Sequence, residues 1–117
     1  MKDYKDWIVW QKSIELVTFI YKITNTFPKH ELHGLASQMQ RAAVSIPSNI
    51  AEGYARINTK DKHHFYVISF SSARELETQL EIAKRLQYLT QESLNDVHSL
   101  LIEVIKLLSK MVFKKIY

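Results

Sequence analysis

The chain has no cysteine, and only 2 glycines and 2 prolines among its 117 residues. Without cysteine there is no disulfide, no thiolate zinc site and no cysteine nucleophile. All-β folds need many turns, and turns draw on glycine and proline. So little of either predicts a few long helices joined by short connections. It also leaves nothing from which to build a glycine-rich phosphate loop. No apolar run reaches the ~18 residues of a membrane span. The start, Met1-Lys2-Asp3-Tyr4-Lys5-Asp6, is charged and leads straight into a helical pattern, unlike a signal peptide. The chain therefore reads as soluble and cytoplasmic, with no membrane partner.

What is present is apolar and moderately basic. Hydrophobic residues make up 46%, enough for a real core, and the length suits a single domain over residues 1–117. The formal net charge is +4, which makes attraction to nucleic acid or another acidic surface plausible.

Four amphipathic stretches follow one another. The first helix is expected over residues 6–27, with Trp7, Trp10, Ile14, Val17, Tyr21 and Thr24 on its inner face. Ile20, Ile23 and Phe27 widen that face, and Pro28 stops the helix. Trp7 and Trp10 suit bundle anchors better than a base-stacking pair. The second helix is expected to continue to about residue 57, burying Leu32, Leu35, Met39, Ala42, Ile46, Ile50, Gly53 and Tyr54. Pro47 lies inside it, where a proline removes one hydrogen bond and costs ~3 kcal/mol. The apolar phase carries through Pro47 without a jump, which predicts a kinked continuous helix rather than two short ones. Ser48 or Asn49 is a candidate partner for a freed backbone group.

The third helix is expected over residues 60–89, capped by Asn58 or Thr59, with Phe65, Ile68, Ser72, Leu76, Gln79, Leu80, Ala83 and Leu86 inward. The fourth, over residues 91–113, is capped by Thr90 and turns Leu94, Val97, Leu101, Val104, Leu108 and Met111 inward. Leu100, Ile105 and Leu107 give it apolar character beyond one face, a pattern that suits a contact between subunits. Lys106, Lys110, Lys114 and Lys115 at its end serve equally as complements to the helix dipole or as a binding tail. The expected fold is all-α: an antiparallel up-down-up-down four-helix bundle with the second helix kinked near Pro47.

Catalytic patterns are scarce. Of the histidines, His30 and His33 straddle a helix start, and the adjacent His63 and His64 point about 100° apart on a helix. No Glu-x-x-His pair occurs, since Glu31 is followed three residues on by Gly34, so a di-iron carboxylate bundle fails its own signature. No serine sits in a Gly-x-Ser-x-Gly elbow. The expectation is a protein that is not an enzyme and carries neither metal nor cofactor.

One stretch stands apart. Residues 40–56 crowd small side chains (Ala42, Ala43, Ser45, Ser48, Ala51, Gly53, Ala55) around Pro47, beside Arg41, Asn49, Glu52 and Arg56. Small residues allow close helix approach, which accounts for the alanines. The polar four fall roughly on one side, and two readings stand. One is an exposed face with a Glu52–Arg56 pair at i,i+4; the other is polar contact with another helix or subunit.

The run Arg41-Ala42-Ala43-Val44-Ser45-Ile46-Pro47-Ser48-Asn49-Ile50-Ala51-Glu52-Gly53 is accompanied by Phe27-Pro28, Glu31, Gly34-Leu35, Gln38 and Glu75-Leu76-Glu77-Thr78-Gln79-Leu80. Together they resemble the four-helix-bundle proteins encoded in bacterial 23S rRNA intervening sequences. The resemblance runs from Trp10 to about Leu89, with Ser71-Ser72-Ala73 where the family often has a glycine-led motif. It marks Arg41, Ser45, Pro47, Asn49, Glu52 and Gly53 as family motif residues. It implies a homo-oligomer, with a pentamer favoured, and a relation to the accessory variability determinant of diversity-generating retroelements, a basic pentameric barrel that binds a reverse transcriptase and nucleic acid. It implies no catalytic site. The leading expectation is a non-enzymatic oligomer with RNA or other nucleic-acid affinity. Its candidate phosphate contacts are Arg41, Arg56, Lys60, Lys62, Arg74, Lys84, Arg85, Lys110, Lys114 and Lys115. The alternative is a protein–protein scaffold docking a polymerase-like polypeptide without touching nucleic acid.

Overall fold

A computed structural model of the chain describes residues 3–113. Four helices carry the fold: α1 (Ile8–Thr24), α2 (Leu35–Ala55), α3 (Thr59–Arg85) and α4 (Gln91–Val112). Single 3₁₀ turns at Tyr4–Asp6 and Lys29–Glu31 precede α1 and α2. No strand occurs among the described residues. Each helix packs on the next and α4 closes back on α1, while the α1 and α3 backbones do not approach one another closely. That leaves α1 and α3 on one diagonal of an up-down-up-down four-helix bundle measuring 46 × 24 × 22 Å.

Local chemistry sets the helix ends. The Asn58 side chain accepts from the Asp61 backbone N–H at 2.8 Å, and Asn58 Nδ2 donates to the Asp61 carboxylate at 2.9 Å. Thr90 Oγ1 accepts from the Ser93 N–H at 3.1 Å to start α4. At the head of α2, Gly34 occupies the cap position with no side chain of its own to bond. The Glu31 carboxylate reaches over it to accept the Leu35 N–H at 3.1 Å. A Cβ on Gly34 would sit 2.7 Å from that carboxylate, so glycine here makes room for the cap.

The end of α3 is unusual. The Gln87 N–H donates to the Lys84 carbonyl and the Tyr88 N–H to the Ala83 carbonyl, both at 3.0 Å, while Gln87 adopts φ 61°. This is the reverse turn in which glycine is strongly favoured, because the left-handed conformation crowds any Cβ. Gln87→Gly is expected to stabilise the protein by about 1 kcal/mol. The check is a rise in the urea midpoint at unchanged slope.

The second helix runs unbroken through Pro47, as its apolar phase predicts, with Ile46 and Ile50 fully buried on either side. Asn49 Nδ2 donates to the Ser45 carbonyl at 2.8 Å, two residues along the ladder from the carbonyl of Ala43 that a proline at 47 deprives of its usual donor. The α2–α3 contact is the most extensive in the bundle, and it is partly polar. Ser69 Oγ donates to the Ile46 carbonyl at 2.8 Å, and the Ser45 and Ser72 hydroxyls bond at 2.8 Å. Gly53 is buried with the Tyr66 ring directly above its backbone.

The structure corrects the expected face of α1. Its core residues are Val9, Ser13, Leu16, Ile20, Ile23 and Thr24, continuing to Phe27. Of the expected stripe Thr24 is buried, as are Ile20, Ile23 and Phe27, which were expected to widen it; Trp7, Trp10 and Val17 are half-buried flanks, while Ile14 and Tyr21 face solvent. The helix carries two apolar stripes about 100° apart, and the aromatic one loses. Its tryptophans instead join an edge cluster, with Tyr4–Trp10 and Trp7–Tyr54 ring centroids 5.5 Å apart. The winning stripe contains Ser13, whose hydroxyl donates to the Val9 carbonyl at 2.8 Å and so is buried without an unmet bond.

Two smaller corrections arise at helix ends. Leu32 is exposed because α2 begins only at Leu35, and Leu86 is exposed because α3 has already ended at Arg85. The apolar excess of α4 is largely absorbed within the chain, since the helix packs on both α1 and α3. Ile105 is buried, and Leu100 and Leu107 lie half-buried against the core.

Candidate functional site

The motif stretch lies wholly on α2 and divides by depth. Ala42, Ala43, Ile46, Pro47, Ile50 and Gly53 are buried, whereas Arg41, Glu52 and Arg56 are exposed. Asn49 Nδ2 also donates to Ser45 Oγ at 2.9 Å, so Asn49, Ser45 and Ser72 form one chain of hydrogen bonds on the α2–α3 seam. Arg41 lies further along, beside a polar hollow of about 350 Å³ that it shares with Gln38, Ser45, Ser72 and Glu75. Glu52 and Arg56 pair at 3.1 Å at the far end of the helix. The four polar motif residues thus fall in two settings: Arg41 and Asn49 around the Ser45–Ser72 pair, and Glu52 with Arg56 at the helix end.

The candidate phosphate contacts are equally dispersed. Arg56 lies over the Phe65 ring, its guanidinium 4.5 Å from the centroid. Lys62 Nζ donates to the Tyr54 carbonyl at 2.8 Å and caps the end of α2, the favourable place for a cation. Lys60 is exposed at the start of α3, and Lys84 is exposed in its last turn. Arg85 donates to Glu81 at 2.9 Å, which holds the Glu81 carboxyl below its ordinary range. Lys114 and Lys115 lie outside the described residues.

Arg74 and Lys110 come together, with Lys106 of the expected basic tail and two aromatic neighbours, Phe70 and Phe113, that the sequence did not single out for a site. Arg74 and Lys110 line a groove of about 960 Å³ with Ile105, Lys106, Ser109, Met111 and Phe113. Arg74 donates to Glu77 at 2.9 Å and lies 5.4 Å from the centroid of Phe70. Phe70 in turn meets Phe113 edge to face at 5.3 Å. Phe113 is 64% exposed, so an aromatic ring stands open beside three cations. Among the described residues, Lys106 and Lys110 make no ion pair. The signal for this arrangement was the spacing of Lys106, Lys110 and Phe113 at i, i+4 and i+7, with Phe70 and Arg74 at i and i+4 on the facing helix.

The opposite end of the bundle holds the titratable cluster. Glu31 Oε2 accepts from the Tyr88 hydroxyl at 2.8 Å, with His30 Nε2 at 3.8 Å. The Leu35 N–H, then Tyr88, then His30 hold the Glu31 carboxyl below its ordinary range, and Glu31 pushes the Tyr88 phenol up. Its first role is visible in the cap on α2. His63 Nε2 lies 2.9 Å from the Val112 carbonyl and ties the ends of α3 and α4. Among the described residues, no three His, Asp or Glu side chains converge as metal ligands would.

The profile of the 23S rRNA-intervening sequence protein family matches residues 5–110. The chain belongs to this family. The match spans all four helices, both faces of the α2–α3 seam and the groove as far as Lys110. Among solved structures, the chain is similar to the 1.70 Å crystal structure of a protein of unknown function from the S23 ribosomal protein family of Bacteroides thetaiotaomicron. The two share 26% identity with a TM-score of 0.82, over 92% of this chain and 100% of that one. No curated protein matches. In this member of the 23S rRNA-intervening sequence protein family, the buried motif residues and Ser45 pack α2 against its neighbours, Arg41 and Glu52 face outward, and the groove lies on the α3–α4 side. No described helix is long and apolar enough to cross a membrane.

Proposed function

We propose that this chain is a non-enzymatic cytoplasmic protein that assembles into a homo-oligomer, a pentamer in the favoured form, and binds RNA or another nucleic acid through its basic surface. The α3–α4 groove carries this reading: Arg74, Lys106 and Lys110 stand together beside an exposed phenylalanine, with Glu77 bound to Arg74. Cations and aromatic rings side by side suit a ligand that offers both phosphates and bases. Self-association is supported by the apolar stripe that α1 leaves uncovered, where Ile14 and Tyr21, two turns apart on one face, are 37% and 47% exposed. A cyclic assembly repeats the groove around a ring and raises avidity without new contacts.

Two measurements test this reading. Light scattering at micromolar concentration is expected to return five times the chain mass; a monomer would sink the assembly. RNA affinity is expected to fall steeply with salt, about 0.7 in log–log slope per phosphate neutralised on a single strand. No affinity at low salt would sink the nucleic-acid reading. The second reading, a scaffold for a polypeptide partner, draws on exposed Tyr21 and Leu32 flanking the α1–α2 groove. It would be favoured by a defined protein partner retained after nuclease treatment.

A further inference from the structure

We propose that the α3–α4 groove is a single-strand site, in which a base stacks on Phe113 while Lys106, Lys110 and Arg74 hold the flanking phosphates. This rests on the nucleic-acid reading above and narrows it to a strand type, a set of residues and a mode of contact.

Phe113, at a helix end and 64% exposed, keeps apolar surface in water unless something covers it. Its position is nonetheless fixed. Its backbone N–H donates to the Ser109 carbonyl at 2.8 Å, and its ring meets Phe70 at 5.3 Å and 88°. Phe70 is itself packed against the core, so the pair is anchored from beneath. An edge-to-face pair leaves ring surface open to a third aromatic partner.

The surroundings define that partner. Lys106 and Lys110 lie one turn apart on α4, about 6 Å along the axis. Arg74 faces them from α3, its guanidinium over Phe70 and one side held by Glu77. Three cations against one carboxylate favour an anion, and the open ring favours an anion that carries flat apolar groups. Within a duplex the base faces are already stacked on one another, so a ring standing on the protein surface has nothing to cover. In a single strand they are free, and aromatic stacking there is tolerant of sequence. An acidic peptide would satisfy the lysines but leave Phe113 uncovered.

The test uses fluorescence anisotropy on the full chain, with a labelled single-stranded RNA of about ten nucleotides, short enough to occupy one groove. A hairpin duplex and poly-glutamate serve as competitors. Phe113→Ala is expected to weaken single-strand binding about tenfold, Phe113→Trp to preserve it, and neither to change duplex binding. Lys106→Gln and Lys110→Gln are each expected to flatten the salt slope by about 0.7. Thermal melts confirm that each variant folds, and an exposed ring makes that the expected result. Single-strand binding that survives Phe113→Ala and both lysine changes would overturn the site but leave the broader nucleic-acid reading standing. Poly-glutamate or duplex displacing the strand as well as unlabelled RNA does would overturn the stacking mode. No RNA binding by the unaltered protein at low salt would remove the broader reading and the site with it.

Discussion

Leu16→Ala will destabilise the chain by about 2–5 kcal/mol, whereas Ile14→Ala will change its stability by less than about 1 kcal/mol. The two residues are near neighbours on α1 and of equal apolar size. Leu16 is fully buried, on the stripe that meets α2 and α4, while Ile14 is 37% exposed. Truncating Leu16 removes transfer free energy and leaves a cavity that rigid helices on either side refill poorly. Truncating Ile14 removes methyl groups that already touch water. Urea unfolding of both variants, at concentrations where light scattering shows the same assembly state, gives the comparison. Equal losses would mean that α1 is rotated by about 100° from the orientation described.

That same pair shows what the sequence could and could not reveal. Four helices, their order, the capping residues Asn58 and Thr90 and the continuity through Pro47 all follow from patterns within a few residues of chain. The inner faces of α2, α3 and α4 followed too, because each has one dominant apolar stripe. In α1 two stripes compete, and the choice depends on partners far along the chain. A buried serine stood in the true core stripe, and two tryptophans stood in the false one. Serine looks polar in a periodicity count, yet Ser13 satisfies itself by bonding back to its own helix. The tryptophans look like core, yet they are accommodated at an edge by Tyr4 and Tyr54. The groove was less visible still. Arg74, Lys106 and Lys110 were legible as cations, but their meeting, and the part of Phe70 and Phe113, depends on how α3 lies against α4.

Gly53→Val is expected to cost about 2–3 kcal/mol, and most of that loss should vanish in a Tyr66→Ala background. A Cβ at position 53 would lie 2.5 Å from Tyr66 Cε1 and 2.9 Å from Cδ1. Separations that short force the ring to move. Tyr66 is half-buried, and burial pushes its phenol up. The ring has one open side, so the change should strain the α2–α3 seam without abolishing the fold. Valine adds a branched side chain that also loses rotamer freedom in a helix. The relief by Tyr66→Ala is the decisive part. A double-mutant cycle with a coupling near zero would mean that glycine at 53 serves something other than clearance for that ring. By this account Gly53 belongs to the motif for steric reasons, as Ala42 and Ala43 do.

The hydroxyls between α2 and α3 have a further consequence, for axial alignment. A seam lined only by leucine and isoleucine looks much the same to its partner after sliding by one helical turn, about 5.4 Å. The Ser69–Ile46 carbonyl and Ser45–Ser72 bonds do not survive such a slide. A shifted pairing would bury hydroxyls against aliphatic carbon, at about 1–3 kcal/mol for each unmet group. These serines contribute little to cohesion while the helices sit correctly, and a great deal against every misaligned alternative. They work as a vernier: the neighbouring small residues let the two helices slide close together, and the hydroxyls decide where the sliding stops.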